Sequence, residues 1–350
     1  MTASPPLQGS QAATGAPPAV GLDAKVAFLR RPGSYPRRPR AVEPIETHMS
    51  WVFLTDDRVY KLKKPVRYDF LDFSTLELRR RNCRREVRLN RRLAAEVYLG
   101  VVALTADPAG GLALGGTRRG RTVVDWLVEM RRLPAARMLD RRIAAGAVSA
   151  EEIDRLGRLL ARFYRRQPPV RMTAAAYRRR FRADVEECRR ELEVPADTVP
   201  REQVAAVADA LLAFLDRHGS LLDERVAARR IVEAHGDLRP EHVGLGDPPV
   251  IIDCLEFERA FRLLDPADEL AYLALECERL GAPWIGDRLF ARYAEVTGDR
   301  PDPALLTFYT AFRAYVRGKI AYLHIREPGD PEPWIAKTCR YLELAAGWLG

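Results

Sequence analysis

The hydrophobic rhythm of the chain changes twice. Residues 50–55 (SWVFLT) are aromatic and β-branched, Asp56-Asp57 forms a turn pair, and residues 58–66 (RVYKLKKPV) alternate, which together predict a β-hairpin. A period of two puts Val59, Lys61 and Lys63 on one face of the second strand and Tyr60 and Leu62 on the other. The rhythm then turns helical: Ser74 or Thr75 caps a helix with Glu77 in its first turns, running to about Leu93. Residues 97–105 (VYLGVVALT) and 122–130 (TVVDWLVEM) read as strands joined by a region rich in glycine (Gly110, Gly111, Gly115, Gly116). From Pro134 onward the pattern is helical over 149–164, 174–192 and 201–218. A second strand-and-turn island interrupts it at 231–257, and helices resume from Pro266 to the end. The aromatic stripe of 308–323 predicts core packing.

Upstream of the hairpin, residues 1–19 have no periodic apolar face and are expected to be disordered. A short amphipathic helix over 23–30 ends at Arg31-Pro32-Gly33, and a Pro/Arg-rich connector reaches Pro44. There is no internal repeat. The order implies a tail (1–19), a helix and linker (20–42), a small mixed β lobe (43–130) and a larger, mostly helical lobe (131–350). The class is α+β.

Composition narrows this picture. At 350 residues, with 47% hydrophobic and 30% charged positions, the chain suits two globular domains or lobes. No window approaches the ~18 consecutive apolar residues of a membrane-spanning helix. The N-terminus lacks a charged segment followed by an apolar one, so no signal peptide is expected. Five cysteines lie far apart with no C-x-x-C, which predicts neither a disulfide framework nor a zinc cluster and fits a reducing cytoplasm. The formal charge of +9 suggests polyanionic partners, yet 48 acidic residues interleave with the basic ones almost everywhere. Only six of the 57 basic residues are lysines, so the skew reads as arginine-rich composition, and no specific nucleic-acid or membrane partner is expected. The arginine runs, such as 178–180, read as solvated helix faces, some of them suited to an anionic substrate. Against that background three lysines fall together, at 61, 63 and 64. Nothing in the pattern fixes an oligomeric state.

The segment richest in chemistry is 232–257, VEAHGDLRPEHVGLGDPPVIIDCLEF. It holds His235-Gly236-Asp237-Leu238, then His242 five residues after Asp237. A turn over 244–249 follows, then an apolar strand that ends on Asp253. Gly244-x-Gly246 lacks a third glycine and reads as part of that turn. A polar loop followed by a strand that returns a carboxylate beside it suits phosphoryl transfer: one Asp accepts the proton of the acceptor hydroxyl, and a second holds Mg²⁺ on the nucleotide phosphates. The protein-kinase catalytic loop, H-R-D-L-x-x-x-N, has this spacing, with Asn where His242 stands here.

HGDLRPEH followed by IIDCLEF and LLDPADELA resembles the aminoglycoside phosphotransferase-like kinases, a small-molecule branch of the protein-kinase-like fold. With IETHMSWVFL, VYKLKKPV and FLDFSTLE, the match resembles one bacterial subfamily, often fused to a C-terminal P-loop ATP-binding domain, and spans about residues 43–270. The resemblance implies a two-lobed fold and ATP-dependent transfer of the γ-phosphate to a hydroxyl of a small molecule, with ATP and Mg²⁺ (or Mn²⁺) as cofactors. It implies that Asp237 is the catalytic base and Asp253 the metal-binding carboxylate. Lys61 would be the strand lysine on the α- and β-phosphates, with Lys63 its rival, and Glu86 the helix glutamate that pairs with it. Val128, Glu129 and Met130 would form the hinge near adenine, and Asp268 would brace the catalytic loop. Three departures stand out. His242 occupies the position of a metal-binding Asn, although imidazole suits Mn²⁺ better than Mg²⁺, so either metal selection shifts, or one metal suffices, or His242 only props the loop. No Gly-rich loop precedes the lysine strand, so the turn at 47–50, with the Ser50 hydroxyl or backbone N–H groups, would cover the phosphates. No G-x-x-x-x-G-K-[ST] occurs, so the fused P-loop domain is expected to be absent. Two other readings remain open: a pseudokinase-like nucleotide-binding regulatory module, and a protein kinase. The second is disfavoured because no activation-loop stretch separates Asp253 from the helix near Pro266.

Overall fold

Alternation and capping account for most of the elements in the computed structural model, which describes residues 20–68, 71–116, 120–193, 199–325 and 329–350. The tail expected to be disordered lies outside the described residues. The chain divides into two units, one of residues up to Val87 with Leu99–Arg132, the other of Arg88–Tyr98 with Leu133–Gly350.

The first unit begins with α1 (Leu22–Leu29), then β1 (Glu43–Glu46), β2 (Ser50–Leu54) and β3 (Arg58–Lys63). A short pair, β4 (Arg67–Tyr68) and β5 (Leu71–Asp72), leads into α2 (Leu76–Ala94), whose last turns belong to the second unit. Then come β6 (Tyr98–Ala106), β7 (Leu112–Leu114) and β8 (Thr122–Arg131). The sheet order is β1-β2-β3-β8-β6-β7, with β1 to β3 and β8 successively antiparallel. β1 stands where Pro44 and its charged neighbours read as a connector; a proline is tolerated on such an edge strand. Phe53, Tyr60 and Leu62 turn into a core with Leu29, Tyr35, Leu104 and Leu127. Thr75, rather than Ser74, caps α2: its hydroxyl accepts the Leu78 N–H at 3.2 Å. Asp125 on β8 takes Lys25 of α1 and Arg79 of α2, each at 2.8 Å.

The second unit contains α3 (Leu139–Ala144), α4 (Ala150–Arg166), α5 (Ala174–Leu192), α6 (Arg201–Ala227), β9 (Val232–Glu233), β10 (Val243–Gly244), β11 (Val250–Ile251) and β12 (Leu263–Leu264). It ends with α7 (Pro266–Arg279), α8 (Trp284–Thr297), α9 (Pro303–Ile325) and α10 (Glu332–Leu349). A capping box, Ser149 with Glu152, starts α4. The helix expected to stop at His218 continues to Ala227: only His218 is irregular (φ −123°, ψ 17°), and buried Leu222 and Arg225 carry its inner face onward. Arg225 pairs with both Asp265, the N-cap of α7, and Asp299. One core joins α5, α6, α9 and α10, and another packs α4, α7 and α8 around β9 to β11. The second core fixes the loop that carries the candidate chemistry.

Candidate active-site residues

In the second unit, β10 pairs antiparallel with β11, so the turn at 244–249 folds the strand back and returns Asp253 toward His242. The loop ahead of this hairpin is held by hydrogen bonds that hydropathy does not reveal. Gly236 has φ +90°, and an added Cβ would stand 3.0–3.2 Å from Arg262, the Phe261 carbonyl and Leu255, so a side chain there would be strained and crowded. The His235 ring bridges the loop: Nε2 lies 2.9 Å from the Ile252 carbonyl, and Nδ1 lies 3.3 Å from the Asp237 N–H. Those contacts fit a neutral ring with its proton on Nε2. Burial, reinforced by His242, pushes its pKa down to about 3.

Glu269, on α7, supports the same loop from beneath. It is fully buried and accepts the N–H of His235 (2.9 Å), the N–H of Gly236 (2.6 Å) and the Tyr164 hydroxyl (2.8 Å). This corrects the expectation for Asp268. That residue takes a bidentate pair from Arg313 at 2.6 Å, and its neighbour is the carboxylate that braces the loop. On a helix adjacent residues point about 100° apart, and in DPADELA only packing decides which acid faces the loop.

Asp237 is partly open, with its side chain 21% exposed. Its Oδ1 forms an ion pair with Arg239, 2.9 Å from Nε, and accepts from the Tyr272 hydroxyl at 3.1 Å. Burial works to raise its pKa, but Arg239, His242 and Arg317 outweigh it and hold the carboxyl below the usual range. His242 Nδ1 lies 2.8 Å from the Asp237 carbonyl and therefore carries the proton; Nε2 then accepts from Arg239 at 3.1 Å. The same Nε2 stands 3.7 Å from Asp253 Oδ2, and Nδ1 stands 3.6 Å from Asp237 Oδ2. His242 thus sits between the two carboxylates.

Asp253 has φ +62°, in the left-handed region that non-glycine residues seldom occupy. Two side chains hold that turn. The Tyr98 hydroxyl accepts the Asp253 N–H at 3.0 Å, and Asn90 Oδ1 accepts the Cys254 N–H at 2.9 Å. The Asp253 carboxylate is 43% exposed. Backbone strain retained beside exposed chemistry is common at functional sites. Among the described residues no cluster of three or more His, Cys, Asp or Glu is arranged to hold a metal ion alone. Asp253 alone still fits a nucleotide-bound divalent ion, which takes one or two protein ligands and completes its shell with phosphates and water, while His242 Nε2 joins it only once Arg239 releases that nitrogen.

In the first unit, Glu86 on α2 is fully buried and engages two lysines of β3. Lys61 Nζ lies 3.1 Å from Oε1 and Lys63 Nζ lies 2.5 Å from Oε2. Lys61 keeps 16% of its side chain exposed, whereas Lys63 is 1% exposed and lies 5.4 Å from the centroid of the Phe73 ring. The period-2 reading placed both lysines on one face; α2 burying that face makes Glu86 shared. Ser50 opens β2 and is buried, and its N–H bonds the Thr47 hydroxyl at 3.0 Å. Glu129 and Met130 lie in β8, opposite Tyr60 and Val59, and the unit boundary follows Arg132. Glu129 accepts the Tyr60 hydroxyl at 3.2 Å.

Glu269, Tyr98, Asn90, Tyr272 and Arg239 were not singled out from sequence. Arg239, inside HGDLRPEH, lay in view; the other four lie 33 to 164 residues from the atoms they hold.

No protein-family profile matches the chain. Uncharacterised proteins of Mycobacterium tuberculosis (strain H37Rv) and Mycobacterium bovis are 35% identical over 310 residues, covering 87% of this chain and 59% of theirs. The chain therefore spans about three-fifths of the length of these curated relatives. Among solved structures, a choline/ethanolamine kinase family protein from Mesorhizobium loti aligns over 92% of this chain and 94% of that one, with a TM-score of 0.51 and 15% identity. Amicoumacin kinase, solved with AMP-PNP and Ca²⁺, aligns over 92% and 91%, with a TM-score of 0.53 and 11% identity. At such identities the likeness is one of fold. The chain is an α+β protein of the aminoglycoside phosphotransferase-like kinase fold, with a β-sheet lobe and a helical lobe.

Proposed function

We propose that the chain is an ATP-dependent phosphotransferase acting on a hydroxyl of a small molecule. The observation that carries this reading is the grouping of Asp237, His242 and Asp253 on one braced loop and hairpin. Asp237, held ionised, accepts the proton of the acceptor hydroxyl, and Tyr272 fixes its rotamer. Its lowered pKa makes it a weak base, which suffices where positioning and electrostatics supply most of the catalysis. Arg239 adds positive charge next to the base, suited to phosphoryl oxygens. Lys61, positioned by Glu86, is assigned to the nucleotide phosphates, with Ser50, Glu129 and Met130 as further nucleotide-binding candidates. Asp253 would hold Mg²⁺ or Mn²⁺, which neutralises phosphate charge when bound, with His242 Nε2 as a second ligand once Arg239 swings off it.

The test is Asp237→Asn in a phosphorylation screen over hydroxyl metabolites. Turnover should fall by ~10²–10⁴, the usual worth of a general base, with nucleotide affinity unchanged. Equal turnover in variant and parent removes Asp237 from the mechanism. A parent that is stabilised by nucleotide but transfers nothing would favour the regulatory-module reading.

A further inference from the structure

Between Asp154 and Asp184 the chain contains ten arginines and no acidic residue. Four of the ten, Arg155, Arg158, Arg162 and Arg166, recur at helical spacing on α4 and line one cavity of about 360 Å³ in the second unit. None of their side chains has a hydrogen-bond or ion-pair partner among the described residues, and the Nε of Arg155 is buried without one. Two of the three acids of α4 itself, Glu152 and Asp154, are taken by arginines from outside the row, Arg142 and Arg288. Like charges at i, i+3 and i, i+4 destabilise a helix, so this row lowers stability in the absence of an anion.

The remaining walls are mainly apolar. Phe163, Leu159 and Leu93 line the cavity, and the Pro248-Pro249 turn between β10 and β11 completes it, with Asp247 contributing a single carboxylate. Arg92 links the cavity to the catalytic loop: it lies over Phe163 and donates to the carbonyls of Glu233 and Ala234 at 2.8 Å. We propose that this cavity binds a small organic anion carrying two or more phosphate groups, whose apolar part packs on Phe163 and the proline turn. The volume falls within the ~300–1,000 Å³ usual for small-molecule sites. The row is ~16 Å long at 1.5 Å per residue, enough for successive phosphates but short for a nucleic-acid track. None of Asp237, Lys61 and Asp253 lines the cavity, and its occupancy does not depend on their proposed roles.

Inorganic tripolyphosphate is the probe, titrated without divalent metal by calorimetry and thermal unfolding, with sodium chloride of matched ionic strength as control. The parent and a Lys61→Ala variant should bind alike. Arg158→Gln with Arg162→Gln should weaken binding by ~10-fold or more, as expected for two lost charge-assisted contacts. The double variant keeps good helix formers and relieves repulsion, so its unfolding without ligand should be no earlier than the parent's. Equal binding by the double variant, loss of binding in Lys61→Ala, or a shift reproduced by sodium chloride overturns the proposal. Tighter binding of single-stranded RNA than of tripolyphosphate at physiological salt, lost in the double variant, overturns the choice of a small-molecule occupant.

Discussion

Glu269 offers a direct measure of how the candidate catalytic loop is held. Glu269→Ala removes one buried carboxylate that accepts from the backbone of His235, the backbone of Gly236 and the hydroxyl of Tyr164. Each donor left unsatisfied in the interior costs ~1–3 kcal/mol, and the three share one acceptor, so a total near 3–5 kcal/mol is expected. Glu269→Gln retains an oxygen for the two N–H groups and turns its amide to the tyrosine, whose oxygen then accepts; a loss of ~1 kcal/mol follows from exchanging a charged acceptor for a neutral one. Urea unfolding gives the global difference. Amide hydrogen exchange gives the local one: protection at His235 and Gly236 should fall by ~10–100-fold in Glu269→Ala, beyond any global change. Asp268→Ala is the control, because it strands Arg313 and should destabilise globally without selective loss at those two amides. Selective exposure in Asp268→Ala, with protection retained in Glu269→Ala, would refute the assignment of the brace.

Three further outcomes follow from the geometry. Lys63→Met strips the closer partner from a fully buried Glu86 and should cost ~3–5 kcal/mol in urea unfolding, whereas Lys61→Met should cost less and mainly weaken nucleotide binding. His235, whose folded pKa of about 3 lies below its unfolded value, makes the unfolded state the stronger proton binder between pH 6.5 and about 3. Stability should therefore decline as pH falls through that window, by ~3 kcal/mol near pH 4.5 from this group alone, and His235→Gln should flatten that part of the unfolding profile. Tyr98→Phe removes the acceptor for the Asp253 N–H at a left-handed residue. It should reduce phosphotransfer and metal-dependent nucleotide affinity with little loss of global stability, and wild-type activity in Tyr98→Phe would show that the turn holds without it.

Periodicity alone determined the hairpin of β2 and β3, the faces of Lys61 and Lys63, and nearly every helix, because alternation and 3.6-residue spacing are local consequences of burying one side of an element. The motif HGDLRPEH and the apolar run ending at Asp253 were legible for a similar reason: β10, the turn and β11 are contiguous, so sequence spacing is nearly spatial spacing. Tertiary packing decided the rest. That Glu86 serves two lysines depends on where α2 lies over β3, and that Glu269 rather than Asp268 faces the loop depends on how α7 is rotated. The supports of Asp253, Tyr98 and Asn90, come from more than 150 residues away. In sequence they are an ordinary strand aromatic and helix amide. Likewise, arginines 155 to 166 read as a solvated helix face, since hydropathy registers their charge but not the missing carboxylates across the cavity. Local propensity sets the elements; which polar groups meet is fixed only when distant elements are brought within hydrogen-bonding distance.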